Sequence, residues 1–338
     1  MSDVAERAQV SQSTVSRVLN QTTSSVPIGE ETRQRVLAAA RELGYRPNPL
    51  ARGLRGSAVL LLGVIVRDIA DPFFAQVISD LGAVARANGY NLVLGHAGSS
   101  PSEALLLKDI LDARHCDGII ALGDLPDDET IFEEIKLVSC PVVNLCRGQA
   151  VAGLPTVNVD NRKGTMLLLE HLHQLGHSRI GMIDGGWVGD IRERREAYQS
   201  FMQAHGWSDT AYRVLAERND PAGGYRAMRA LLALPDRPTA VFAADDGLAI
   251  GALKAAADLG LQVPEAVSIA GFDDIEQAQF TIPALTTVRQ PFEELAHVGL
   301  QLLLDLIEGG QDAATGPIVR VEPALIVRES CAPPAGGC

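Results

Sequence analysis

Apolar residues recur along this chain in two rhythms. In the first fifty residues they keep helical spacing. Val4 and Ala8 fall one turn apart, Val15, Val18 and Leu19 give a second short helix an apolar side, and Val36, Ala39, Ala40 and Leu43 mark a third helix over residues 30–43. Ser2 and Ser11 stand where a side-chain oxygen can take an orphan N–H at the start of the first and second helices, and Gly44 supplies a left-handed stop for the third. From residue 57 the rhythm changes. Apolar runs at 59–66, 90–97, 117–122, 141–145 and 156–160 read as strands, with helices at 74–88, 102–114 and 129–138 among them. A second series follows, with helices at 163–175, 192–205, 223–233 and 247–259 and strands at 179–184, 213–217, 239–244 and 267–272. Such alternation predicts parallel sheets covered by helices on both faces. The two series split near residues 158–161 and predict two similar lobes. A helix at 292–308 and a strand at 318–327 are expected to cross back between them. Ligands in open α/β sheets sit beyond the strand carboxyl ends, so two facing lobes place the site in their cleft.

Composition narrows the class. At 338 residues, 46% hydrophobic and 21% charged, the chain can bury a sizeable core. No early segment reads as a signal peptide, and the apolar run at 59–66 is too short to span a membrane. Cys116, Cys140, Cys146, Cys331 and Cys338 show no C-x-x-C or metal spacing, which predicts buried or incidental thiols in a reducing cytoplasm. The net charge of −13 argues against nucleic acid until its distribution is read. Residues 1–57 hold eight Arg against five Asp or Glu, whereas the remainder holds 21 basic and 37 acidic residues. A small basic head on an acidic body fits a local contact with DNA.

The second helix carries Gln12, Ser13, Thr14, Ser16 and Arg17 on its polar side, short hydrogen-bonding groups plus one long cation, which suit phosphates and base edges. On periodicity alone this is an ordinary helical hairpin with a polar solvent face. The longer string changes the reading. DVAERAQVSQSTVSRVLN at 3–20, followed by EETRQRVLAAARELGYRPNPLARGLR at 30–55, contains A-x-x-A-x-V-S-x-x-T-V-S-R-V-L-N and then G-Y-x-P-N. It closely resembles the helix-turn-helix of the LacI/GalR family of bacterial transcription regulators, and the match returns in pieces to about residue 328.

The resemblance implies an all-α helix-turn-helix DNA-binding head over residues 1–46, a hinge helix or linker over 47–56, and an effector-binding and dimerisation body over 57–330. That body is an α/β, two-lobed, type I periplasmic-binding-protein-like fold with lobes at 57–158 and 160–288. The family's recognition helix enters the major groove. Carried over, Gln12, Ser13 and Arg17 read bases, while Ser11, Thr14, Ser16, Asn20 and Tyr45 are placed for phosphates. Leu54 of the hinge matches the apolar residue that wedges a base step in the minor groove. In the hinge sequence PNPLARGLRG, Asn48 can cap and Pro49 suits the first helical position, but the helix is too short to stand alone and Gly53 weakens it by roughly 1 kcal/mol. Without the resemblance a plain linker is the lesser, competing reading of the segment. Pro and Gly in CAPPAGGC predict a disordered tail over 331–338.

Candidate cleft residues come from both lobes. Phe73 and Phe74 follow the first body strand, and either stack on a sugar or base face or staple the start of a helix. By resemblance, Arg194 in DIRERREAY and Asp273 in GFDD match effector-binding positions; on its own the basic cluster is a solvated helix face. Asp245 is expected to point to the cleft and Asp246 to cap the next helix, with Asn144 and Arg147 as candidates from the other lobe. Two carboxylates and an Arg suit a polyhydroxyl ligand. A sugar or sugar derivative is therefore the first reading, and a nucleoside or purine stacked on the two Phe the second. His171, His173 and His177 read as a polar helix face, not a metal site. With no G-x-S-x-G, H-E-x-x-H or P-loop, neither catalysis, cofactor nor metal is expected. The expected protein is a cytoplasmic homodimeric repressor, without membrane contact, on a palindromic operator, its DNA affinity set by a small molecule. A solute-binding protein serving a transporter is the alternative of another class, and the presence of the head opposes it.

Overall fold

The computed structural model describes residues 1–19, 28–45, 58–97, 105–109, 116–124, 128–135, 137–148, 153–186, 189–309 and 318–335. The chain forms two compact units, Met1–Leu60 and Leu61–Cys338.

In the first unit, α1 (Ser2–Ala8), α2 (Gln12–Leu19) and α3 (Glu30–Glu42) close around Val4, Ala5, Ala8, Val15, Val18, Val36, Ala39 and Ala40. All but Ala5 are positions that the helical spacing singles out, while Leu19, also singled out, is only partly buried. Ser11 Oγ accepts from Thr14 N at 3.2 Å and so caps α2. Ser2 does not cap α1: it is already helical behind Met1, and its hydroxyl turns to Asp3 at 3.2 Å. Leu43 departs from the core, 47% exposed, because α3 stops at Glu42 and leaves it off the helical face. The Arg7–Glu42 pair joins α1 to α3 at 2.9 Å, but both side chains are half-exposed and contribute little. The expected hinge helix, Leu54 included, and Asn20 lie outside the described residues.

The second unit holds two six-stranded sheets. The first contains β1 (Leu61–Val66), β2 (Asn91–His96), β3 (Gly118–Leu122), β4 (Val142–Leu145), β5 (Thr156–Val159) and β11 (Val319–Val321), in the order β11-β5-β4-β3-β1-β2. The second contains β6 (Ile180–Asp184), β7 (Arg213–Leu215), β8 (Ala240–Ala243), β9 (Ser268–Asp273), β10 (Thr286–Arg289) and β12 (Ala324–Ile326), in the order β12-β10-β9-β8-β6-β7. Strands β3, β4, β6, β8 and β9 are buried along their whole length, as strands sandwiched between helices must be. The connecting helices are α4 (Pro72–Ala87), α5 (Asp128–Ile135), α6 (Asn161–Gln174), α7 (Gly189–Ala204), α8 (Pro221–Leu232), α9 (Asp246–Asp258) and α10 (Phe292–Ile307), with a further helical stretch at 105–109. Among the described residues no helix is long and apolar enough to cross a membrane.

The strand read at 318–327 is two strands. Strand β11 runs parallel to β5 in the first sheet, and β12, two residues later, runs antiparallel to β10 in the second. A chain that follows the grain of one sheet and then opposes the grain of the next shows that their carboxyl ends face each other. Strand β5 leads directly into α6, which packs in the second lobe. Strand β10 leads into α10, which packs on α4 and on β3, β4 and β5 in the first. The chain therefore passes between lobes three times. Strand β10 was not read from the sequence, although Thr286, Thr287 and Val288 are three successive β-branched residues.

The disordered-tail expectation fails for residues 331–335. Ala332 N donates to Ser268 Oγ at 3.1 Å, and the Ala332 carbonyl accepts from His177 Nε2 at 2.9 Å. Burial of His177 and Ser268 demands partners, and this segment supplies them. His177 is accordingly an interior group, not part of a polar helix face. Residues 336–338 lie outside the described residues.

Candidate functional site

In the first unit, α2 gathers the sequence-derived candidates on one helix. Gln12 and Ser13 are exposed, and Thr14, Ser16 and Arg17 are half-buried. The hydroxyls of Ser11, Ser13 and Thr14 form a linked group, Ser11 to Ser13 at 2.7 Å and to Thr14 at 2.9 Å. Ser11 thus serves the helix start as well as the surface. Tyr45 packs its side chain on the small core while its N–H closes the end of α3 on Ala40 O at 2.8 Å.

In the second unit, a cavity of about 40 Å³ lies at the carboxyl ends of both sheets. The first lobe lines it with Arg67, Asp71, Phe73, Phe74, Gly123, Asp124 and Cys146, and the second with Asp190, Ile191, Arg194, Asn219, Asp245 and Asp273. Gln290 sits at the crossover into α10. Pockets for small molecules usually measure roughly 300–1,000 Å³, so this space is narrow beside them.

Capping places several of these side chains. Asp71 Oδ1 accepts from Phe73 N at 2.9 Å, with Pro72 at the first helical position of α4. Asp245 Oδ1 accepts from Leu248 N at 2.7 Å and caps α9. The cap expected of Asp246 is thus made by Asp245, which also faces the cavity as expected. Asp246 is wholly buried and accepts from Thr287 Oγ1 at 2.6 Å and Ile275 N at 3.0 Å, tying α9 to β10. Asp245 both caps and faces the cavity.

Arg194 is the centre of the second lobe's contribution. It is 3% exposed. Its Nε donates to Asn161 Oδ1 at 2.8 Å, its Nη1 donates to Ala244 O at 2.7 Å and lies 3.2 Å from Asp273 Oδ1, and its guanidinium sits 3.7 Å over the Phe272 ring. Asp273 also accepts from Gln290 Nε2 at 2.7 Å. Asp273 and Asp274 have φ of 115° and 59°, a strained turn for non-glycine residues at a strand end. Burial pushes the Asp273 carboxyl up to about 8 despite Arg194 beside it, and burial followed by the charge of Asp245 pushes Asp71 up to about 6. Asp245 is also raised by burial.

Phe73 and Phe74 line the cavity but pack edge-on against each other at 5.1 Å; Phe73 meets Phe292 at 5.6 Å and Arg67 lies over Phe74 at 5.1 Å. Both rings are buried, so each offers a ligand an edge more than an open face. Asn144 and Arg147 do not line the cavity. Asn144 is buried opposite Thr156 of β5, and its Nδ2 donates to Thr156 Oγ1 at 3.4 Å. The Arg147 carbonyl accepts from Asn158 at 2.9 Å.

Sequence reasoning passed over Arg67, Asp71, Asp124, Asp190, Asn219 and Gln290. For Asp71 the signal was present in Asp-Pro at a strand-to-helix junction, and for Asp190 in its place ahead of Arg194. Asp190 helps close the rim: Asn158 Nδ2 from the first lobe donates to its Oδ1 at 2.7 Å, while Asp124 Oδ2 accepts from Gly189 N at 2.5 Å. Burial and the facing Asp124 push Asp190 up to about 6. At this rim Gly148 touches Gly189 so closely that a Cβ on Gly148 would stand 2.2 Å from the Gly189 carbonyl carbon.

Comparison with known proteins agrees with both units. Residues 1–48 match the family model for bacterial regulatory proteins, lacI family, and residues 169–331 match a periplasmic binding protein-like domain. The HTH-type transcriptional repressor CytR of Escherichia coli (strain K12) is 36% identical over 333 residues, covering 98% of this chain and 95% of CytR. The HTH-type transcriptional repressor PurR of Klebsiella pneumoniae (strain 342) is 33% identical over 335 residues, covering 98% of this chain and 96% of PurR. Among solved structures, the lac repressor dimer bound to operator and the anti-inducer ONPF superposes with a TM-score of 0.86 at 29% identity, over 98% of each chain.

Proposed function

The chain belongs to the lacI family of bacterial regulatory proteins, and from that premise we propose that it is a homodimeric repressor whose grip on operator DNA is set by a small molecule held between the lobes. The observation that carries the reading is the convergence of Arg194, Asp245 and Asp273 on a closable cavity at the facing ends of two sheets. The carboxylates accept hydroxyl hydrogen bonds, with Asp273 held by Arg194 and Asp245 by the start of α9, which suits a hydroxyl-rich ligand. A sugar or sugar derivative is the first reading. A nucleoside, which brings the same ribosyl hydroxyls, is the second, favoured by Phe73 and Phe74 on the same wall. The ligand switches the protein only by binding one lobe arrangement more tightly than the other.

On the DNA side, α2 presents Gln12, Ser13 and Arg17 for base edges and Ser11, Thr14 and Ser16 for phosphates, in a head that carries the chain's local excess of Arg. Paired heads of a dimer then bind the two halves of a palindrome. Arg17→Ala is expected to weaken operator affinity by about 1–3 kcal/mol in a fluorescence-anisotropy titration; unchanged affinity would remove Arg17 from base reading. A thermal-shift series of the full chain against sugars and nucleosides tests the ligand. A rise in Tm that Asp273→Asn abolishes supports the cleft, and a nucleoside hit without a sugar hit selects the second reading.

A further inference from the structure

Five carboxylates face the cavity, while its cations are Arg67 and Arg194. Arg194 is fully engaged, and the charge of Arg67 is offset in part by Asp71. Arg194 is held by Asn161, Ala244 and Asp273 and stacked on Phe272. Arg67 lies 3.9 Å from the Asp71 carboxylate and over the Phe74 ring. A helix N-terminus is the other common holder of a phosphate, because its free N–H groups point at the anion. Here the helix starts that open on the cavity are already met by carboxylates: Phe73 N by Asp71, Leu248 N by Asp245 and Gly189 N by Asp124. The acceptor excess extends to Gln290, whose Oε1 is buried with no donor among the described residues. Acceptors dominate this lining, with five Asp side chains against two Arg, so most of it asks the ligand for donors.

We propose that the cleft selects the unphosphorylated form of its ligand, a neutral or cationic molecule bearing O–H and N–H donors, and rejects the corresponding phosphate ester. The inference rests on the reading of the cleft as the effector site and specifies its chemistry. Discrimination comes from the capping carboxylates. Asp71 and Asp245 set carboxylate oxygens, which carry negative charge once deprotonated, where a phosphate would need donors and positive charge, and like charges brought together in such a site repel.

The test is calorimetry and thermal shift on the full chain with matched pairs: ribose and ribose 5-phosphate, glucose and glucose 6-phosphate, adenosine and AMP, cytidine and CMP. The expected result is that the bound pair shows affinity about 100-fold lower for the phosphate ester. In an Asp71→Asn, Asp245→Asn double variant, where the amide keeps the helix cap but drops the charge, that ratio is expected to shrink about tenfold. Phosphate esters binding as tightly as their parents would overturn the inference while leaving the effector site standing. Discrimination that persists undiminished in the double variant would overturn its assignment to the caps. Silence across every pair would remove the ligand reading and the inference together.

Discussion

The two lobes share a strand order and turn their carboxyl ends to one cavity, yet they bring different things to it. The second lobe presents a polar network that links Arg194, Asp273, Asn161 and Gln290 and leaves only the Gln290 Oε1 of these four without a donor among the described residues. The first lobe presents a wall of buried rings, with Asp71 at its helix start. At the third strand from the outer end, both keep a non-glycine residue in a positive-φ turn, Cys146 at 56° in the first lobe and Asp273–Asp274 at 115° and 59° in the second. The backbone device is common, while the side chain on it is a thiol in one lobe and a clamped carboxylate in the other. Topology thus decides where a cleft residue stands, and local capping and burial decide what chemistry it can do.

The contrast can be broken most severely at its polar centre. Arg194→Ala removes the buried donor of Asn161 and of the Ala244 carbonyl and the partner of Asp273, and is expected to destabilise the body by about 1–3 kcal/mol in urea unfolding, with ligand binding lost. A cost under about 1 kcal/mol would show that the second lobe's network is not preassembled. Gly148→Ala acts at the rim, where the new Cβ cannot share space with Gly189. It is expected to hold the lobes apart and weaken ligand binding about tenfold, with Tm of the free protein little changed. Calorimetry decides it, since wild-type affinity would mean that this contact is absent from the bound state.

A pH series sharpens the same contrast more gently. Asp273 and Asp71 have carboxyls raised to about 8 and about 6, against an ordinary 3.8, so the folded body retains protons that the unfolded chain gives up. Their stabilising contribution is complete below about 4 and is lost as pH rises through 6 for Asp71 and 8 for Asp273. Stability should therefore fall from pH 6 to 8, and Asp273→Asn should flatten that slope in Tm measurements. The smallest effect is expected from Phe74→Leu, which removes edge contacts to Phe73 worth about 0.5–1.5 kcal/mol and leaves the Arg194 network intact. If its effect on ligand affinity exceeds that of Gly148→Ala, the first lobe is more than a wall.

Much of this was legible from spacing alone. The head core lies at the apolar positions that helical periodicity marks, and the strand–helix alternation yields two lobes because buried parallel strands must be continuously apolar. What escaped the sequence was decided by partners distant along the chain. Which of Asp245 and Asp246 caps α9 depends on Thr287 and Ile275, some thirty to forty residues away, which claim Asp246. The order at 331–335 depends on His177 and Ser268 needing partners, which Pro and Gly content cannot reveal. Gln290 carries no local signal: only the crossing of the chain between lobes brings it beside Asp273.

That crossing has a consequence for how the protein is made. The first lobe receives α10 and β11 from residues 292–321, and the second receives β12 from residues 324–326. On a ribosome adding roughly 5–20 residues per second, the head is available on the order of 15–60 s before the body's last strands emerge. Neither sheet can close during that interval, because each waits for the final thirty or so residues. A message cut short near its end would encode the whole three-helix head but leave both sheets of the body unfinished.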